Sequence, residues 1–223
     1  MFSTKELVDE VDEGVSSACF DRVKILRGLN KALFAIASVD DIYLPDLVVE
    51  GRILSSFAGR NYTTLPADYH KKITSVLIND SPVPIYASLS RLKEQFNGLT
   101  DVQGEICGVA AQGNKLYYQK VPAVKQSMKI GYYRKPVKMV DVQGNSPEGA
   151  AGSESFYECL VSHALWKFYS QIEDGIEGPM ANTAYHKNEF YENLDLLRNF
   201  CHRDAGPDTI VPAQVPFQMF TYR

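Results

Sequence analysis

GSESFYECLVSHALWKFYSQIEDGIEGPMANTAYHKNEFYENLDLLRNFCHR, residues 152–203, reads as two consecutive helices, and the fold follows from what their apolar stripes must cover. In the first, about 156–174, Tyr157, Leu160, Val161, Ala164, Leu165, Phe168 and Ile172 recur at three- and four-residue steps, which places them on one wide stripe. Ser155 followed by Glu158 fits a capping box, in which each side chain satisfies a free backbone donor at the helix start. Gly175 and Gly178-Pro179 stop this helix. The second, about 181–202, carries Phe190, Leu194, Leu197 and Cys201 on one face, and Gly206-Pro207 ends it. A short turn between the two predicts an antiparallel pair with facing stripes.

A second helical pair is written at the other end of the chain. Ser3 and Glu6 form another capping-box pattern ahead of Leu7, Val8 and Val11, and Gly14 weakens or ends that helix. From Asp21, a candidate cap, Ile25, Leu26, Leu29, Leu33 and Ile36 share one arc, while Arg22, Lys24, Arg27 and Lys31 cover the wet faces. Neither pair can bury its stripe alone, so mutual burial is expected.

Between the pairs the pattern changes to short strands and turns. Leu44 before Pro45 is held extended. Strands are predicted at 53–57, 73–78, 82–86, 105–110, 115–119 and 128–133, with an extended segment at 61–67. Asn79-Asp80-Ser81 and Gln112-Gly113-Asn114 read as turns, and Ser88 or Ser90 caps a short helix through Phe96. Such spacing predicts a small antiparallel sheet or sandwich. Residues 143–152, rich in Gly, Pro and Ala, read as a flexible connection. The expected fold is therefore α+β. Residues 1–39 and 153–204 form a four-helix bundle, 40–142 an inserted β-rich domain, 143–152 a linker and 205–223 an extended C-terminal arm.

Composition narrows the function. The 223 residues are 45% hydrophobic and 22% charged, as in an ordinary globular chain, and the net charge is −4. That balance argues against a protein dominated by phosphate contacts. A local basic run, Lys115 to Lys138 with seven Lys or Arg residues, reads as a solvated sheet edge. No apolar run reaches the roughly 20 residues of a membrane span. The first residues lack a signal-peptide pattern, and Cys19, Cys107, Cys159 and Cys201 are scattered, so cytoplasmic synthesis with free thiols is expected.

Catalytic and metal chemistry find little support. Residues 108–115 have phosphate-loop spacing only: Asn114 stands where the Lys is needed, and a strand follows rather than a helix. Cys159, His163, Cys201 and His202 supply soft donors, but Cys159 lies off the core stripe of its helix whereas Cys201 lies on its own. Cys159 and His163 as nucleophile and base lack an orienting acid. The acidic clusters at 9–13 and 173–177 sit near helix ends, where charges are usually solvated. Neither an enzyme nor a cofactor is expected. Cys159, His163, Trp166 and Ser170 instead form a second, narrower face, the kind that meets another subunit or the β part.

The closing segment, 205–223, holds Pro207, Pro212 and Pro216 among Ile210, Val211, Val215, Phe217, Met219, Phe220 and Tyr222. The prolines exclude a helix, and the segment is too apolar for a solvated tail. Either it packs on its own domain or it docks on a neighbouring subunit or partner by strand addition or groove binding.

Taken together the pattern resembles the head-to-tail adaptor (connector, or head-completion) proteins of tailed bacteriophages. The residues carrying the resemblance are Glu6-Leu7-Val8 and Leu29-Asn30-Lys31-Ala32 in the first pair, and Leu65-Pro66-Ala67-Asp68-Tyr69 ahead of a strand and an Asn turn. Gly131-Tyr132-Tyr133-Arg134-Lys135-Pro136 in the last strand and the Gly-rich break before the closing helices complete it. One departure is Asn79-Asp80, where the group would have Asn-Gly. The resemblance implies a virion protein of the neck, made in the host cytoplasm. It implies a ring, commonly of twelve copies, that binds beneath the portal protein, extends the DNA channel and receives the tail or nozzle proteins. It also implies a C-terminal extension that reaches the portal, and in this chain Val215, Phe217, Met219, Phe220 and Tyr222 of the apolar closing segment are the expected anchor. An acidic chain suits a channel through which DNA slides. A gatekeeper or tail-tube component, a cellular binding module and, last, a thiol or metal hydrolase are the alternatives.

Overall fold

The computed structural model describes residues 2–15, 20–98, 102–140, 146–150, 153–174 and 180–204. Among them the chain is α+β, with five α-helices and two four-stranded sheets. The order is α1 (Thr4–Val15), α2 (Arg22–Ala37), a 3-10 turn (Pro45–Leu47), β1 (Val48–Ser55), β2 (Tyr62–Thr64), β3 (Tyr69–Ile78), β4 (Ser81–Pro82) and β5 (Ile85–Tyr86). Then come α3 (Leu89–Gln95), β6 (Val109–Gln112), β7 (Lys115–Tyr118), β8 (Ser127–Arg134), α4 (Glu154–Ile172) and α5 (Ala181–Asp204).

Helix starts follow the local chemistry. Ser3 and Glu6 close a reciprocal box: the Ser3 N–H donates to Glu6 Oε2 at 2.6 Å, and the Glu6 N–H donates to Ser3 Oγ at 3.3 Å. Asp21 accepts the Lys24 N–H at 2.6 Å, and Ser88 accepts the Arg91 N–H at 3.2 Å. The box expected from Ser155 and Glu158 is not the start of α4. That helix begins at Glu154 after Ser153, whose side chain makes no capping bond, so Ser155 already lies in the first turn.

One core joins α1, α2, α4 and α5, with Leu7, Leu29, Leu33, Phe156, Leu160 and Leu197 all at 0% exposure. Helix α4 is its axis. Leu165 approaches Gly14 of α1, Phe168 approaches Gly28 of α2, and Trp166 meets Phe190 of α5. Packing on three sides buries residues off the expected stripe, Cys159 and His163 among them. The α4–α5 pair is antiparallel: Tyr169 stacks on His186 while Trp166 meets Tyr191.

The two sheets run β1-β8-β3-β4 and β2-β7-β6-β5. Their inner faces share a second core, including Ile73, Val76, Leu116, Tyr118, Met128 and Ile130. The sequence predicts antiparallel pairing throughout, but β5 pairs parallel with β6, because the short helix α3 intervenes and returns the chain in the same direction. The predicted 105–110 strand is realised at β6, two residues past its expected end. Strands β7 and β8 are both internal, flanked by β2 and β6 and by β1 and β3 respectively. The basic run 115–138 is therefore not a sheet edge.

Three polar devices fix the sheets to the helices. The Leu44 N–H donates to the buried Tyr133 hydroxyl at 3.1 Å. Asn30 pairs reciprocally with the Met139 backbone, both bonds at 2.8 Å. The Lys71 ammonium donates to the Val39 and Ile42 carbonyls just past α2, at 2.6 Å in the second case. Residues 147–150, read as part of a flexible connection, are seated instead. Gly149 exchanges hydrogen bonds with Asp46 at 3.0 and 3.2 Å, and a Cβ there would lie 2.3 Å from the Phe156 ring. The stop signals Gly175, Gly178-Pro179 and Gly206-Pro207, linker residues 143–145 and 151–152, and the arm 205–223 lie outside the described residues.

Candidate functional site

The four residues assigned to a second face of α4 divide into two kinds. Cys159 is fully buried and His163 is 7% exposed, both covered by the chain's own packing. Trp166 and Ser170 remain half-buried at the surface. The division follows from α5, which lies along this side of α4: the His163 ring meets Phe190 edge-on at 5.0 Å and Trp166 at 5.6 Å. A contact with another subunit can therefore draw on Trp166 and Ser170, whereas Cys159 and His163 already have partners within the fold.

Burial also sets their chemistry. The Cys159 thiol is pushed up to about 12, first by loss of solvent and then by Glu158 and Cys201, so it stays protonated and is a poor nucleophile. Burial, helped by Lys167, pulls His163 down to about 4. Its Nδ1 is buried with no hydrogen-bond partner among the described residues. Cys201 is buried while its neighbour His202 is exposed, so the two do not converge on one point. Among the described residues no group of three or more His, Cys, Asp or Glu side chains could hold a metal.

Around Trp166 the surface is aromatic and cationic. Lys167 Nζ lies 3.5 Å from the Trp166 ring centroid, and Lys187 of α5 approaches the same ring at 5.7 Å. Tyr191, 49% exposed, extends the aromatic surface at 6.3 Å. Next to it, α2 and α4 bound a groove of about 450 Å³ whose floor holds Phe20, Gly28 and Phe168 and whose rim holds Lys24, Arg27, Lys31 and Lys167. His163, Ser170 and Gln171 complete the lining, and among the described residues no Asp or Glu contributes to it. A second groove of about 480 Å³ runs along the far side of α2 and shares Arg27 and Lys31 with the first. This arrangement suits recognition of an acidic surface that carries some apolar area.

The signal for this face was present but diluted. Residues 22–37 contain cations and no carboxylate, and Lys24, Arg27 and Lys31 recur at three- and four-residue steps, which sets them on one side of α2. Read alone they are solvating charges. Only the crossing of α2 over α4 adds Lys167 and turns a basic stripe into a basic groove. Tyr191 and Lys187 gave no comparable signal, since each belongs to the polar side of α5.

The proposed anchor residues Val215, Phe217, Met219, Phe220 and Tyr222 lie outside the described residues. Among the described residues no helix is long and apolar enough to cross a membrane. Neither a scan of protein-family models nor a search of curated proteins returns a match to this chain.

Proposed function

We propose that this chain is a structural virion protein, a head-to-tail adaptor of a tailed bacteriophage. Its helical pairs make a four-helix bundle with the β part as an insertion, and copies form a ring beneath the portal that extends the DNA channel and receives the tail. The observation that carries the reading is the closing sequence. Residues 205–223 hold Pro207, Pro212 and Pro216 and end in Val215, Phe217, Met219, Phe220 and Tyr222, a composition that reads as non-helical, is too apolar for a solvated tail and favours docking. The outer face of α2, α4 and α5 supports it from a second side, because an aromatic and cationic surface of this kind is suited to protein contact. A gatekeeper or tail-tube role would use the same surfaces with a different neighbour.

The test is deletion of residues 207–223. The truncated chain should fold with unchanged helical content and no longer co-migrate with purified portal. Replacing the five anchor residues with Ala in the full chain should do the same. Portal binding that survives both changes would overturn the anchor assignment.

A further inference from the structure

Among the described residues, charge differs between the two sides of α4. Lys24, Arg27, Lys31 and Lys167 are exposed around the α2–α4 groove, and none of them forms an ion pair with a described residue. Acidic residues gather elsewhere. Glu10 and Glu13 of α1 and Glu158 of α4 are exposed, and the Glu10 carboxyl is pushed above its ordinary value, first by burial and then by Glu158, Glu13 and Glu189. Glu158 and Lys167 are both on α4, nine positions apart, about two and a half helical turns. They therefore face opposite sides of the helix. On one side α2 brings further cations, and on the other α1 brings further carboxylates.

A molecule with a basic groove on one side and an acidic face on the other is complementary to itself only head to tail. A two-fold contact would set groove against groove, or acid against acid, and like charges would repel. A head-to-tail contact repeats, and it closes into a ring when the rotation per copy allows. We propose that the α2–α4 groove is the docking site for a second copy of this chain, which inserts the face bearing Glu10, Glu13 and Glu158 against Lys24, Arg27, Lys31 and Lys167. Phe20 and Phe168 supply the apolar floor of the contact, and Trp166 lies beside it. The inference rests on the ring-forming reading above and names the surfaces that make the ring. The same cations would attract a nucleic acid. A second copy is favoured because the chain itself carries the matching acidic face on the opposite side of the same helix.

The test uses the full chain and two charge reversals. One combines Lys24→Glu, Arg27→Glu and Lys31→Glu; the other combines Glu10→Lys, Glu13→Lys and Glu158→Lys. Sedimentation velocity is followed up to the solubility limit, with circular dichroism to confirm folding. The wild-type chain should self-associate. Each reversal alone should weaken association roughly tenfold or more, because like charges then meet at every contact. An equimolar mixture of the two should restore it, since each reversed face meets a partner of opposite sign. Raising the salt to about 1 M, where the Debye length falls to about 3 Å, should weaken the wild-type assembly. Reversals that leave association unchanged, or a mixture that fails to recover, would overturn this interface while leaving a ring by other surfaces intact. A wild-type chain that stays monomeric throughout would also overturn it, and the adaptor reading would then be judged separately by co-migration with portal. Tight binding of a short DNA duplex by wild type, lost in the first reversal while association persists, would assign the groove to nucleic acid instead.

Discussion

Tyr132 and Tyr133 are consecutive in β8, yet their rings belong to different cores. Tyr132 packs between the two sheets, with its hydroxyl donating to Asp68 Oδ1 at 2.9 Å. Tyr133 packs among the helices, where its hydroxyl accepts the Leu44 N–H at 3.1 Å. The alternation of side chains along a strand produces this directly: neighbours point to opposite faces. One strand therefore belongs to both halves of the fold, and the pair couples them.

The two hydroxyls should not be equally important. Tyr133→Phe leaves a buried backbone donor at Leu44 without its acceptor, which costs about 1–3 kcal/mol. Tyr132→Phe frees an exposed carboxylate that water can satisfy, so about 0.5–1 kcal/mol is expected. Urea midpoints for the two variants, with unchanged slopes, would check this ordering. Equal losses would mean that the Leu44 bond does not join the two halves.

A second prediction concerns the crossing of α2 and α4. A Cβ at Gly28 would lie 2.6 Å from Cζ of Phe168, and that ring is itself backed by Phe20 at 4.5 Å between centroids. Gly28→Ala gains about 1 kcal/mol of helix propensity but must displace a pinned ring, so a net loss of about 1–2 kcal/mol is expected. Pairing it with Phe168→Leu should recover part of that loss in a double-mutant cycle. If Gly28→Ala raises the melting temperature, the close approach is not tight.

How much of this was legible in the residues depends on whether the signal was local. The capping box at Ser3 and Glu6 and the cap at Asp21 needed only neighbours in sequence, and they stand as read. The stripe of α2 stands for the same reason. Periodicity sets Cys159 and His163 off the core because it finds one buried face, whereas α4 is packed on three sides and buries several. No single-helix pattern reports how many neighbours a helix has. The parallel β5–β6 pair leaves no local signal, because its partners meet across α3, beyond the reach of a hairpin rule. The groove is not legible in either helix alone, because its described lining is divided between α2 and α4.

His163 gives a pH prediction. Its folded value near 4 lies below the ordinary histidine range, so between about pH 6.5 and 4 the unfolded chain binds a proton that the native chain refuses. Stability is therefore fully present above the unfolded value and falls as the pH drops through this window. The loss should be on the order of 3 kcal/mol. His163→Phe should remove that component, and the difference between wild-type and variant unfolding free energies should change with pH only in this window. A difference that is flat from pH 7 to 4 would show that the imidazole titrates as it does in solvent.

The hairpin between β3 and β4 offers the last test. Ile78 and Ser81 pair across a two-residue loop in which Asn79 and Asp80 have φ of 53° and 61°. Both residues are in the left-handed region, as a type I′ turn requires, so Asp80 takes the place that Gly fills most cheaply. Asp80 also pairs with Lys129 at 2.7 Å, but both side chains are exposed, and solvent screens such pairs so that they contribute little. Relief of the left-handed backbone is worth about 1 kcal/mol and outweighs a solvent-screened surface pair. Asp80→Gly is thus expected to be neutral to stabilising by up to about 1 kcal/mol. Asp80→Val, branched at Cβ and without the ion pair, should cost about 1–2 kcal/mol, because a β-branched residue resists positive φ. Chemical denaturation of both variants decides the matter: the two must move in opposite directions, or Val must lose clearly more than Gly. If Gly proves the worse of the two, the Lys129 pair rather than the turn conformation fixes this end of β3, and the sheet's register depends on charge at its rim.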